Sequence, residues 1–173
     1  MLFLSSALSG SEGNDAQPES WSELSQLRQV ILDSMPVTRH LDFSLFRDAA
    51  HCLVATAPLA VNANHQQTAF GGSLSMLATI AGWAMMQLVL RERGCEARVV
   101  IQKSRISYRA PVCSDLVLRC GWPSDEKRAG FFDALERWCR ARLPLRCTMD
   151  VSGEQAFVFD ASYVAIAERS DTR

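Results

Sequence analysis

A run of 22 residues, AFGGSLSMLATIAGWAMMQLVL, spans positions 69–90 without a charged side chain and constrains the fold more than any other feature. As a helix it would be about 30 Å long. Because it is apolar around most of its circumference, such a helix has to be buried on all sides. Arg91, Arg93 and Gly94 follow it, and these are the residue types that favour a helix C-terminus.

Two buried environments are compatible with this helix. About 20 apolar residues can cross a bilayer, and the small residues from Gly72 to Gly82 could pack two spans together. The alternative is a sheet wrapped around the helix. The alternating strands predicted after residue 97 would need the helix as their core. The helix also carries the polar residues Ser73, Thr79 and Gln87, which weaken the case for a membrane span. We therefore expect the sheet-wrapped arrangement.

The chain has 173 residues, which suits one domain with its own core. We expect a mobile segment at residues 1–20, a single domain at 21–168 and a tail at 169–173. A formal net charge of −1 argues against wholesale binding to nucleic acid or to a membrane surface. The expected partners are small molecules or proteins.

The six cysteines and three histidines show no metal-ligand spacing, and no C-x-x-C motif occurs. We therefore expect neither a metal site nor a cofactor. The first ten residues are apolar but lack the basic residues of a secretory signal. These features favour a cytoplasmic protein whose reduced cysteines serve as small core residues.

The remaining pattern predicts an α+β fold with a mainly antiparallel sheet. A helix is expected to begin at a Ser20 cap and to end at Pro36. Ser124 is expected to cap a second amphipathic helix, and Pro144 suggests an edge strand because proline cannot donate to a ladder. Strands are predicted at 41–46, 52–57, 97–109, 116–121, 142–151 and 157–167.

The glycine pair at the start of the central helix is a candidate site. First-turn N–H groups lack intrahelical partners and carry partial positive charge. At Gly71 and Gly72 no side chain shields them, so an oxygen with developing negative charge could approach. The alternative interpretation is that the glycines only permit a tight turn into the helix.

Two motifs resemble the hotdog-fold thioesterases: NANHQQTAFGGS at residues 62–73 and SYRAPV at residues 107–112. The similarity is to thioesterase domains that occur alone or joined to an acetyltransferase domain, with a Thr-x-Phe-Gly-Gly-Ser motif, and it covers roughly residues 36–167. It implies an antiparallel sheet wrapped around a long helix. It also implies active sites at a subunit interface, in a homodimer or a dimer of dimers.

The resemblance also implies roles for individual residues. Asn64 resembles the loop asparagine that places water or the thioester, and the Gly71 N–H resembles the donor that polarises the thioester carbonyl. Thr79 stands where many relatives carry the Asp or Glu that activates water, and Phe70 replaces a histidine found in other members. His65 could substitute as a base, because imidazole titrates near neutrality, or could simply be exposed.

These positions form the predicted site: Asn64, Gly71 and Thr79 as catalytic residues, and His65, Phe70, Gly72 and Ser73 as substrate-binding residues. The function expected from the resemblance is hydrolysis of thioesters of coenzyme A or acyl carrier protein. The alternative is a non-hydrolytic module that binds the same ligands. A dehydratase fits less well, because those enzymes need a histidine and a helix carboxylate together.

Two further features bear on substrates. Trp83, Met85 and Met86 could line an acyl pocket or belong to the core. Six basic residues between Arg91 and Arg109 could form a rim that attracts the phosphates of coenzyme A or an acidic carrier protein. The alternative interpretation of these basic residues is a solvated strand face.

Overall fold

This computed structural model describes residues 19–168 of the chain. The expected mobile segment and tail lie outside that part, apart from Glu19 and Ser20. The elements are α1 Glu19–Ser34, a 3-10 helix Pro36–Leu41, β1 Ser44–Arg47, β2 Leu53–Ala57, α2 Leu59–Asn62, α3 Gly71–Glu92, β3 Arg98–Tyr108, β4 Leu116–Cys120, α4 Asp125–Trp138, β5 Arg140–Val151 and β6 Glu154–Ile166.

The central helix α3 spans Gly71–Glu92, so it begins and ends two residues later than the apolar run at 69–90. It ends as expected, with Arg91 in its last turn and Gly94 at φ +61°, and the Gly94 N–H donates to the Arg91 carbonyl. The helix is long and apolar enough to cross a membrane, but 67% of its most apolar window is buried within the described fold. The sheet-wrapped environment accounts for its composition.

The six strands form one antiparallel sheet in the order β1-β2-β4-β5-β6-β3. In β5 the residues alternate strictly, so that Leu143, Leu145 and Cys147 are buried while Arg142 and Arg146 are exposed. The buried set faces α3, where the Cys147 Sγ lies 3.8 Å from the Ala78 carbonyl. This is the α+β hotdog arrangement that the sequence predicted, with α3 on the inner face of the sheet.

A buried tyrosine seats the middle of α3 on the sheet. The Tyr163 hydroxyl on β6 donates to the Thr79 carbonyl at 2.9 Å, and the ring lies against Gly82. Burial raises the pKa of Tyr163 far above its usual value, so the hydroxyl remains a donor at physiological pH. Close contact between helix and sheet therefore depends on glycine at position 82.

Three local predictions need correction. Helix α1 already includes Glu19, one residue before the predicted start at Ser20. The first strand begins at Ser44, since Leu41 ends the 3-10 helix and Asp42 turns the chain at φ 52°. Pro144 is not on an edge strand, because β5 lies between β4 and β6.

The position of Pro144 has a physical explanation. Strand β4 pairs with β5 only at Cys147 and Thr148, and β5 also packs against α4. Pro144 therefore sits where β5 has a strand neighbour on one side only, and there a missing N–H is tolerated. The Ser124 cap is confirmed, because its hydroxyl accepts a hydrogen bond from the Lys127 N–H.

Candidate functional site

The loop that delivers the chain to α3 is fixed at both ends. Buried Asn62 donates through its side-chain amide to the carbonyls of Leu41 and Pro58, at 3.0 and 2.8 Å. The backbone carbonyl of Asn62 accepts from the Phe70 N–H at 2.7 Å, and the Ala69 N–H donates to the Val112 carbonyl at 2.7 Å. These bonds set the position of the first turn of α3 relative to the end of β3.

Asn64 organises the interior of this loop. Its Oδ1 accepts from the N–H groups of Gln66 and Thr68 at 2.8 and 3.3 Å, and its Nδ2 donates to the Thr68 hydroxyl at 2.9 Å. A side chain that bonds the backbone two residues ahead stabilises a turn. The structure therefore gives Asn64 a positioning role and directs its amide along the loop.

The first turn of α3 presents backbone donors. Within residues 19–168, the N–H groups of Gly71, Gly72 and Ser73 have no hydrogen-bond acceptor. Phe70 is the N-cap residue and its side chain accepts no bond. Unpaired N–H groups at the positive end of a 22-residue helix favour an incoming oxygen that carries negative charge.

Two aromatic rings flank these donors and explain both glycines. A Cβ at Gly71 would lie 3.2 Å from the Tyr108 ring, and a Cβ at Gly72 would lie 2.9 Å from Phe70 Cδ1. The Tyr108 hydroxyl also donates to the Gly71 carbonyl at 3.0 Å. Close approach of the Tyr108 ring therefore favours glycine at position 71, and this packing coexists with unpaired amides.

A groove of about 410 Å³ opens beside Gly71, between the loop and the end of β3. Its principal lining residues are Gln66, Thr68, Leu74, Tyr108, Pro111 and Val112. In the described part of the chain, no Asp or Glu lines this groove. The groove therefore offers hydrogen-bond donors and apolar walls, without a carboxylate to accept a proton.

Thr79 lies apart from this groove. It is eight residues beyond Gly71, which corresponds to about 12 Å along the helix. Its hydroxyl donates to the Ser75 carbonyl at 2.8 Å, and the Ser75 hydroxyl donates to Gly72 at 2.9 Å. Both hydroxyl protons are therefore engaged by the helix backbone, which leaves the hydroxyl oxygens as acceptors.

The predicted site residues divide into two groups. Gly71 lines the groove, and Phe70, Gly72 and Ser73 adjoin it on the same turn. His65, Asn64 and Thr79 do not line it, and His65 is exposed on the loop. Of the residues considered for an acyl pocket, Met85 and Met86 are fully buried in the core.

Sequence reasoning missed Tyr108 as a site residue. Its ring packs against Phe157 at 5.4 Å between centroids, and its hydroxyl fixes the first turn of α3. The ring is still 54% exposed, so it also forms a wall of the groove. The signal was present in the tyrosine that precedes Pro111 by three residues at the end of a strand.

Comparison with known proteins bears on the family and the fold. Residues 24–167 match the family described as "Putative thioesterase (yiiD_Cterm)". A putative thioesterase from Shewanella oneidensis is similar, with 28% identity, a TM-score of 0.75, and coverage of 84% of this chain and 98% of that one. A Chlorobaculum tepidum protein of unknown function is also 28% identical, with a TM-score of 0.79 and coverage of 87% and 100%.

A probable thioesterase from Pseudomonas aeruginosa shares the fold at lower identity. It is 17% identical, with a TM-score of 0.69 and coverage of 83% of this chain and 95% of that one. All three structures are covered almost completely by this chain. The hotdog architecture therefore accounts for most of the described residues.

Proposed function

Since the chain belongs to the putative thioesterase family whose model spans residues 24–167, we propose that it hydrolyses acyl thioesters at the start of α3. The observation that carries the proposal is the set of unpaired amides at Gly71, Gly72 and Ser73 beside an open groove. The thioester carbonyl oxygen would accept from these amides, with Gly71 the principal donor. Substrates are thioesters of coenzyme A or of an acyl carrier protein.

The amides supply electrostatic stabilisation. When water attacks the thioester carbonyl, the oxygen gains negative charge and binds the N–H donors more strongly than the planar carbonyl does. Removing one such donor from a hydrolase typically lowers kcat by roughly 100- to 1,000-fold. In this chain the donors belong to the backbone, so their position depends on Asn62, Phe70 and Tyr108.

The attacking water needs a separate partner. Thr79 accepts through its hydroxyl oxygen and orients the water, but it cannot act as a base near neutral pH as a carboxylate would. A positioned general base is worth roughly 100- to 10,000-fold in rate. We therefore expect slow hydrolysis, with His65 as a base only if the loop brings its ring toward a bound substrate.

We propose that the assembly is a homodimer, or a dimer of such dimers, joined through β3. This 11-residue strand lies at the edge of the sheet and exposes Val100 and Ile101 by 48% and 40%. A long apolar edge strand is usually covered or paired. The half-buried side of α3 at Met76, Thr79 and Trp83 would then face a cleft between subunits.

Release of free thiol from a panel of acyl-coenzyme A substrates tests the function. We expect turnover above background for at least one chain length. Tyr108→Phe should reduce kcat/KM up to about tenfold, because a lost hydrogen bond of about 0.5–1.5 kcal/mol loosens the turn that holds the amides. Trp138→Phe, an exposed aromatic change elsewhere, is the control.

The alternative is a module that binds acyl thioesters without hydrolysing them, and the missing helix carboxylate favours it. Thr79→Asp separates the two functions. Hydrolysis that is gained only in this variant, with Gln87→Glu on the same helix inactive, identifies a binding module. Absence of both binding and hydrolysis in the wild type and in Thr79→Asp would refute the proposed site.

A further inference from the structure

The outer face of the sheet concentrates positive charge on β3 and β5, the two strands that flank β6. Register places Arg98 of β3 and Arg140 of β5 on either side of Ile166, and Arg105 and Arg146 on either side of Asp160. Lys103 and Arg142 lie in the rows between. We call this set the outer basic face: Arg98, Lys103, Arg105, Arg140, Arg142 and Arg146.

These six side chains are all exposed and point away from α3. Tyr163, Ala161 and Phe159 of β6 belong to the core, so the alternating residues face outward. Between the first and last of these rows, Asp160 is the one outward carboxylate among the described residues, and it pairs with Arg146 at 2.6 and 3.1 Å. The chain as a whole has a net charge of −1, so the charge is segregated.

The outer basic face also contains a groove. A groove of about 620 Å³ crosses it, lined by Lys103, Arg105, Pro144, Arg146 and Ser162, with Lys127 of α4 at one side. Val100 is 48% exposed in the same area. Arginine is enriched at protein–protein interfaces relative to the rest of the surface.

We propose that the outer basic face docks an acidic surface of the protein that carries the acyl group, so that the substrate is a carrier-bound thioester. This inference rests on the proposed function. Five of its six cations are arginines, whose planar guanidinium matches a carboxylate in a bidentate pair. A second copy stacked face to face on this sheet would place like charges against each other, which opposes that occupant of the outer basic face.

Nucleic acid is a less suitable occupant. Its affinity for proteins comes from many phosphate contacts supported by a positive field over the whole domain. Here the net charge is −1, so a long polyanion would be repelled beyond the face itself. A small acidic protein could bind through the outer basic face alone.

The face is close enough to the candidate active site to deliver a substrate. Arg105 is three residues before Tyr108, or about 10 Å along β3. Arg109 continues the outward row, and it lines the groove beside Gly71. The docked carrier would therefore sit at the mouth of that groove, and its flexible thioester arm would have to pass only the end of β3.

The test compares one acyl group on three leaving groups: octanoyl-loaded acyl carrier protein, octanoyl-coenzyme A and octanoyl-N-acetylcysteamine. The face variant is Lys103→Gln with Arg105→Gln and Arg142→Gln. The control removes three exposed charges elsewhere by Arg39→Gln, Arg93→Gln and Arg137→Gln. Direct titration of each protein with the loaded carrier measures docking independently of turnover.

We expect the face variant to lose at least tenfold in kcat/KM and in affinity for the loaded carrier, while the N-acetylcysteamine thioester changes less than twofold. An equal loss on octanoyl-coenzyme A would overturn the inference, because the face would then bind phosphates. Unchanged carrier affinity, an equal loss in the control, or binding of a DNA duplex in place of the carrier would also overturn it. If no thioester is hydrolysed, the proposed function fails, and the carrier titration still decides the docking.

Discussion

Replacing Gly82 by alanine should destabilise the protein, although the same change in a free helix would stabilise it. An added Cβ at this position would lie 2.5 Å from Cε2 and Cζ of Tyr163. That ring is fully buried and its hydroxyl is bound to the Thr79 carbonyl, so it cannot swing away without losing the bond. The helix would have to lift from β6 instead.

The magnitude follows from two opposing effects. Glycine to alanine in a helix interior gains about 1 kcal/mol from propensity. Overpacking a dense core typically costs about 1–3 kcal/mol, and this overlap is severe enough to place the cost near the upper end. The expected net loss is about 1–2 kcal/mol, or a fall in Tm of roughly 2–8 °C for a domain of this size.

Gly130 provides the matched control, because it lies inside α4 and a Cβ there would meet nothing within 4 Å. Gly130→Ala should raise stability by up to about 1 kcal/mol. Urea unfolding followed by circular dichroism measures both variants. If Gly82→Ala proves as stable as the wild type while Gly130→Ala behaves as expected, the described seating of α3 on Tyr163 is wrong.

Two further predictions concern assembly and pH. Ile101→Lys should raise the dissociation constant of the proposed dimer at least tenfold in sedimentation equilibrium. The control is Val37→Lys, which changes an exposed apolar residue on the 3-10 helix and should leave the dissociation constant unchanged. A wild type that is monomeric at all concentrations would contradict pairing through β3. The Cys147 thiol has its pKa raised by its hydrogen bond with Cys120 and by burial, so the unfolded chain loses this proton first, near pH 8.5. The contribution of the Cys147 thiol to the free energy of unfolding is therefore complete below about pH 8.5 and is lost as the pH rises above it. Urea midpoints from pH 7 to 10 measure this decline. Cys147→Ala should flatten the decline, whereas Cys113→Ala, at an exposed cysteine, should not.

The central helix could be predicted from sequence because its constraints are local. A charge-free apolar run, basic residues in the last turn and Gly94 after it define α3 without knowledge of any neighbour. The strands could also be predicted from sequence, since the alternation of apolar and polar residues in β5 indicates which side chains face α3. The wrapped sheet then follows, because a helix apolar on all sides needs cover.

The site was less predictable because its geometry depends on contacts distant in sequence. Tyr108 reaches the Gly71 carbonyl across 37 residues, and Asn62 reaches Leu41 across 21. The resemblance gives Asn64 the role of placing water or the thioester, and in the structure its amide also bonds its own loop. Pro144 suggested an edge strand, because the sequence does not show that β4 pairs with β5 at only two residues.

The separation between Gly71 and Thr79 bears on how such a site could work. The amides line a groove beside the end of β3, while Thr79 lies about 12 Å along the helix on a side that the described chain leaves half-buried. A thioester held by the amides could meet a water at Thr79 only if that side also borders the bound acyl group. A second subunit paired through β3 would join the groove beside Gly71 and the Thr79 side of α3 into one cleft. Under the proposed function, carbonyl binding would therefore depend on one chain, whereas placement of the water would depend on the proposed pair.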